Sequence, residues 1–135
     1  MIRSILLTAV IAFAVPALAD GPAAMADPGV EGAEASFNAF AQRWMDRVHR
    51  LEAQGRNKPT VSEGSDGPVV TYRGYGDDFS IELRETGYAR APYVGLLRYV
   101  EHVYSCTSLA AKKCRRASSI PVTEIFRFQD GSWAY

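Results

Sequence analysis

Phe37-Asn38-Ala39-Phe40-Ala41-Gln42-Arg43-Trp44-Met45-Asp46-Arg47-Val48-His49-Arg50-Leu51 is the stretch on which the fold turns. Phe37, Phe40, Trp44, Val48 and Leu51 step by three, four, four and three, a spacing that lays them along one stripe of a 3.6-residue helix. Ala33, Ala35, Ala39, Ala41 and Ala53 add helix propensity. Glu31 and Glu34 sit near the positive end of the helix dipole, and Arg47 and Arg50 near its negative end. Gly55 offers a left-handed cap and Pro59 forbids continuation, so the helix is expected to stop at Gly55.

A helix with one apolar stripe needs a surface to cover, and downstream the period changes from 3.6 to two. Val70 and Tyr72 alternate with Thr71 and Arg73, and Gly74-Tyr75-Gly76-Asp77-Asp78 reads as a turn. Phe79, Ile81 and Leu83 then alternate with Ser80, Glu82 and Arg84, the mark of a strand packed on one face and wet on the other. Past Thr86-Gly87 and Pro92, a long strand is expected from Tyr93 to Cys106. It carries Val94, Leu96, Val100 and Tyr104 on one side and Tyr93, Leu97, Tyr99 and Val103 on the other, which predicts a central, curved strand with a bulge near Gly95. The last strand holds Val122, Ile125, Phe126 and Phe128, and Asp130-Gly131 turns it toward Trp133 and Tyr135. The polar stretch from Arg56 to Gly67 reads as a linker.

Consecutive strands with short links pair antiparallel. The expected class is α+β: one N-terminal helix packed on a curved antiparallel sheet of four to five strands, within a single domain at 33–135. Ahead of it, residues 20–32 read as a flexible leader of Asp, Gly, Pro and Ala. Residues 1–19 read as a signal peptide: Arg3 is the positive end, Ile5 to Val15 the apolar stretch, Pro16 the break and Ala17-Leu18-Ala19 the cleavage pattern. Cleavage after Ala19 leaves 116 residues, with no second stretch long enough to span a bilayer. The protein is therefore expected in the periplasm of a two-membrane host and otherwise outside the cell.

The helix, the antiparallel strands and the terminal Phe126-Arg127-Phe128-Gln129-Asp130-Gly131-Ser132-Trp133 hairpin together resemble cystatin-like and NTF2-like exported bacterial domains. The resemblance covers about residues 33–135 and implies a helix wrapped by a curved sheet; in the NTF2-like case it also implies a ligand pocket between the two. The Gln-x-Val-x-Gly protease-wedging loop of cystatins is absent, as is the longer three-helix front of NTF2-like domains.

Fifteen basic residues balance fifteen acidic ones and 47% of residues are apolar, which excludes a disordered, collagenous or nucleic-acid-coating chain. The two cysteines, Cys106 and Cys114, are expected to form a disulfide in an oxidising compartment; their spacing fits neither a C-x-x-C redox pair nor a zinc knuckle. His49 and His102 show no ligand spacing that demands a metal. No nucleophile elbow, phosphate loop or H-E-x-x-H helix occurs, so no catalytic residue, cofactor or metal is assigned.

Two surfaces stand out instead. Lys112, Lys113, Arg115 and Arg116 concentrate positive charge beside the cysteines, where an acidic protein, phosphate or anionic headgroup would meet them. Tyr72, Arg73, Tyr75, Tyr88, Arg90, Tyr93, Arg98 and Tyr99 enrich the strands in residue types favoured at interfaces. The leading expectation is a non-catalytic domain that binds a protein or other envelope macromolecule through its sheet face or basic loop. The alternative is a small-ligand pocket lined by Trp44, Tyr72, Arg98, Tyr99, Glu101 and His102. An enzyme ranks third.

Overall fold

A computed structural model describes residues 27–110 and 112–135. The segment read as a signal peptide, and the leader up to residue 26, lie outside the described residues. In chain order the elements are α1 (Gly29–Asn57), β1 (Thr60–Gly64), β2 (Gly67–Glu85), β3 (Tyr93–Cys106), β4 (Cys114–Gln129) and β5 (Ser132–Ala134). The five strands form one antiparallel sheet in sequence order, with β3 at its centre.

The helix starts four residues before the expected boundary, inside the stretch read as leader. Pro28 holds helix-compatible dihedrals (φ −67°, ψ −7°), and the Asp27 carboxylate accepts the Gly29 N–H at 3.0 Å and the Tyr93 O–H at 2.9 Å. At the other end Gly55 stays helical and the helix runs on to Asn57, closed by the Lys58 N–H donating to the Gln54 carbonyl. Pro59 is the true stop, because the residue before a proline is pushed out of the α region.

The buried stripe is Ala33, Phe37, Ala41, Met45 and Val48. It is rotated from the stripe of large residues: Phe40 and Trp44 flank it half-buried, and Leu51 is half exposed. Small alanines lie at the contact line, so the helix sits close to the sheet. Gly95 completes that approach. A Cβ there would come within 2.4–2.6 Å of the Phe37 ring, well inside contact distance. No bulge occurs at Gly95; the glycine serves helix–sheet proximity instead.

The register irregularities lie elsewhere. β2 is one continuous strand, and the expected turn at 74–78 is a bulge, with the pairing to β3 shifting between Tyr75 and Phe79. The β3–β4 register shifts where Val103 and Tyr104 face Ser118 and Arg116. The stretch read as a linker contains β1, which folds back on β2 through Ser65-Asp66 with register Thr60↔Thr71 to Gly64↔Gly67. The Asp130-Gly131 turn forms as expected. Both residues have positive φ (48° and 75°), the backbone of a tight two-residue hairpin, and Phe128 faces Trp133 across it.

Two clusters mark the ends of the interior, and a third, Ala33, Tyr93 and Phe128 with Leu83 and Trp133, adjoins the larger of them. The larger lies beneath the helix: Phe37, Ala41, Met45, Val48, Leu97, Tyr99 and Phe126, with Phe79, Ile81, Val122 and Trp133 packed around them. Burying Phe37, Phe126 and Leu97 completely contributes about 1.5–3 kcal/mol each. Phe37 meets Trp133 at 4.5 Å between centroids, and the Trp133 indole N–H donates to Ser36 Oγ at 3.0 Å, which ties the last strand to the helix. The smaller cluster, Val70, Tyr72 and Cys106 with Tyr104 and Cys114, sits at the far end of the sheet.

Candidate functional site

That far end is a hairpin tip built by β3 and β4. Cys106 and Cys114 are directly opposed in the register, 4.0 Å apart at Cα, and are joined by a disulfide. One step outward the Thr107 N–H donates to the Lys113 carbonyl at 3.0 Å, so Thr107 and Lys113 are a hydrogen-bonded ladder pair and the cysteines occupy the closer ladder position that suits a cross-strand disulfide. Behind the bridge the Tyr72 and Tyr104 rings stack at 4.8 Å with planes 7° apart. The helix reaches this cluster through Arg56, whose guanidinium lies 5.6 Å over the Tyr72 ring.

The tip is strongly polarised in charge. From His102 to Thr123 the chain has four cations and no Asp or Glu. Lys112, Lys113, Arg115 and Arg116 are all exposed, and none has an ion pair among the described residues. Arg115 and Arg116 are consecutive in β4, opposite Ser105 and Tyr104, so they leave the sheet on opposite faces. Other arginines are engaged elsewhere: Arg56 with Glu52 at 2.8 Å, Arg73 with Glu101 at 3.3 Å, and Arg84 and Arg98 both with Glu82 at 2.5 and 2.7 Å. Hydrogen bonds from Arg84 first, and then Arg98, hold the Glu82 carboxyl below its usual range.

The arginine- and tyrosine-rich strands prove to be two different things. Tyr72, Tyr93 and Tyr99 are buried and belong to the interior rather than to an exposed sheet face. Tyr99 donates to Glu124 at 3.0 Å, and the Tyr135 hydroxyl donates to the other oxygen of the same carboxylate. Burial pushes the Tyr99 phenol up to about 12, with Glu124 adding to it and the approach of the Trp44 N–H working against it. Trp44 Nε1 is buried without a well-formed hydrogen bond among the described residues. Burial likewise raises Tyr75, with the neighbouring Glu101 charge adding to it.

The expected pocket set does not converge. Trp44 and Tyr99 face the helix–sheet core. By the alternation of β3, Arg98 and His102 lie on the opposite face, where His102 Nδ1 meets Ser119 Oγ at 2.9 Å. Trp44 lines a cleft of about 260 Å³ on the helix with Phe40, Arg43 and Arg50, and Tyr72 lines a separate, larger one together with Arg73, the partner of Glu101. The larger cleft, about 450 Å³, opens beneath the C-terminal turns of α1 and is walled by Leu51, Gly55, Lys58, Tyr72, Arg73, Tyr75 and Val103 among others. Its place was not readable beforehand, because it depends on the β1 hairpin and on Leu51 pointing outward.

His49 lies near Glu52 at 3.7 Å and Asp77 at 4.0 Å. Among the described residues no group of three or more His, Cys, Asp or Glu is placed to hold a metal ion, and no helix is long and apolar enough to cross a membrane. No family model, curated protein or solved structure matches the chain.

Proposed function

We propose that this is an exported, non-catalytic binding domain that docks an acidic macromolecule on its disulfide-tied cationic hairpin. The observation that carries the reading is the tip itself: four exposed cations, without an ion pair among the described residues, on a backbone whose register is fixed by a covalent bridge. A bridge closing so small a loop contributes about 2.5 kcal/mol in the chain-entropy model, and it also removes the fraying expected of a strand end far from the main core. Preordering lowers the entropy lost on binding, so these charges act from a fixed frame. The disulfide agrees with export, since such bonds persist in oxidising compartments.

Polyglutamate is the direct probe. The oxidised native protein is expected to bind it at low salt and to weaken toward 0.15 M, where the screening length is about 8 Å. The fourfold reversal K112E/K113E/R115E/R116E is expected to abolish binding, and polylysine is expected not to bind the native protein. Equal binding of polyglutamate by native and reversed proteins defeats the proposal.

A second reading rests on the cleft beneath the helix. Its volume lies within the 300–1,000 Å³ common for ligand pockets, with apolar walls at Leu51, Tyr75 and Val103 and polar groups at Lys58 and Arg73. This is the small-ligand role that the NTF2-like resemblance implies. Saturable binding of a small amphiphile that is lost in Val103→Trp, with the fold intact, separates it from the first.

A further inference from the structure

We propose that the outer face of α1 carries a second anion site, separate from the hairpin tip, that takes a phosphate monoester on Arg43, Arg47 and Arg50. These arginines step by four and three, so they share one face of the helix within about 10 Å along its axis. All three are exposed, and with Phe40, Trp44 and Asp46 they line a cleft of about 260 Å³.

The fold itself does not use the cluster. Arg56, Arg73, Arg84 and Arg98 each sit against a glutamate, whereas among the described residues no ion pair forms at Arg43, Arg47 or Arg50. Asp46 stands three residues from Arg43 and four from Arg50, the spacings at which helical ion pairs form, yet it pairs with neither. Like charges three and four residues apart oppose the helix. An anion seated among them removes that repulsion.

Part of the recognition geometry is set before a ligand arrives. Trp44 is wedged edge-on against Phe126 at 5.0 Å and Tyr135 at 5.4 Å between centroids, which makes the indole a firm platform. The Arg47 guanidinium lies 5.6 Å over that ring. A guanidinium held on an aromatic face keeps its in-plane N–H fork for an oxyanion, and that fork matches phosphate geometry.

Charge and size select the ligand. Three arginines against one aspartate leave the lining at a formal +2. A phosphate monoester, at about −1.5 to −2 near pH 7 and with three acceptor oxygens, matches that charge; a singly charged sulfate ester does not. The cleft is smaller than the 300–1,000 Å³ common for whole ligands, so it takes the phosphoryl group and the atoms next to it. The half-buried Phe40 ring is the apolar wall for the first part of the organic group. A soluble ester and a lipid headgroup offer the same chemistry.

The test is a chemical-shift titration of the oxidised native protein with phenyl phosphate and with phenyl sulfate. It is run at 0.1 M salt, where charges more than about 10 Å apart are screened. Phenyl phosphate is expected to bind roughly tenfold more tightly than phenyl sulfate and to shift the amides around Arg43–Arg50. R43Q/R47Q, which keeps good helix formers at exposed positions, is expected to lose most of that affinity, while K112E/K113E/R115E/R116E keeps it. Sedimentation with phosphatidylcholine vesicles carrying phosphatidic acid, a monoester, or phosphatidylglycerol, a diester, separates the sources. Binding to phosphatidic acid that is lost in R43Q/R47Q assigns a lipid headgroup; phenyl phosphate binding with no vesicle binding assigns a soluble ester. Equal affinity for phenyl sulfate overturns the selection for a dianion. Binding that survives R43Q/R47Q, binding lost on reversing the tip, or no binding of phenyl phosphate and phosphatidic acid alike overturns the site. None of these results bears on polyglutamate binding at the tip, which is measured separately.

Discussion

The two ends of the sheet hold together by different physics. Beneath the helix, Phe37, Leu97 and Phe126 are sealed from water, with Phe40, Trp44 and Trp133 packed on their rims. Around the hairpin, three small or flat contacts (Val70, Tyr72 and Cys106) are buried, and a covalent bond supplements them. The first end has a layer laid over it and the second largely lacks one. The difference teaches that the chain spends apolar area where it needs a fold and uses a crosslink where it needs an ordered but exposed surface. Small cores commonly require such a staple.

Mutations that strike the helix end should cost most. Phe126→Ala removes a ring that meets Phe40 at 4.8 Å and Trp44 at 5.0 Å. Large-to-small changes of this kind cost about 3–5 kcal/mol, read as a lower urea midpoint with a similar slope. Gly95→Ala should cost about 1–3 kcal/mol by overpacking, because its Cβ would fall well inside contact distance of the Phe37 ring. Phe37→Leu in the same chain should restore part of the loss, and a destabilisation insensitive to that second change would contradict the contact.

The buried phenol gives the same end a pH signature. The Tyr99 pKa is raised in the folded state to about 12, so its contribution is fully present below about pH 10 and is lost as pH rises through 12. Native protein should therefore lose more stability than Tyr99→Phe over that interval, measured by denaturant titration at each pH. On the helix-free face the sign reverses. Glu82 is held below its usual range by Arg84 and Arg98, so the stability it supplies is present above the ordinary carboxylate pKa and fades as pH falls through the depressed one. Glu82→Gln should flatten that acid limb slightly, since the group is partly exposed and its ion pairs are screened.

The smallest stability effect is expected at the tip. Reversing Lys112, Lys113, Arg115 and Arg116 touches no buried contact, so the unfolding free energy should move by no more than about 0.5 kcal/mol per exposed site. Thermal unfolding of the reversed protein beside the native one checks this. A collapse of stability would show that the charges hold the fold rather than serve a partner.

Much of the helix end was legible in the sequence, and the reason is periodicity. Phe79, Ile81 and Leu83 announced a face turned to the helix, and Tyr93–Cys106 announced the central strand. The helix stripe was read about one position out, because Ala33 and Ala41 bury themselves at the contact line while Leu51 swings to the surface. Size draws the eye in a sequence, but close approach in the fold selects small residues. β1 was missed because all five of its residues are exposed, leaving no alternation to detect. The bulge at 75–79 resembled a turn because glycines and aspartates serve both. At the hairpin the cysteine pair and four cations were plain in the sequence.

Native-state hydrogen exchange before and after reduction of the Cys106–Cys114 bond tests the division most directly. The account predicts that reduction speeds exchange of amides around Val103–Arg116, while those at Tyr93–Tyr99 and Val122–Phe128 keep their protection. Uniform acceleration of both sets would show a single cooperative core and contradict it.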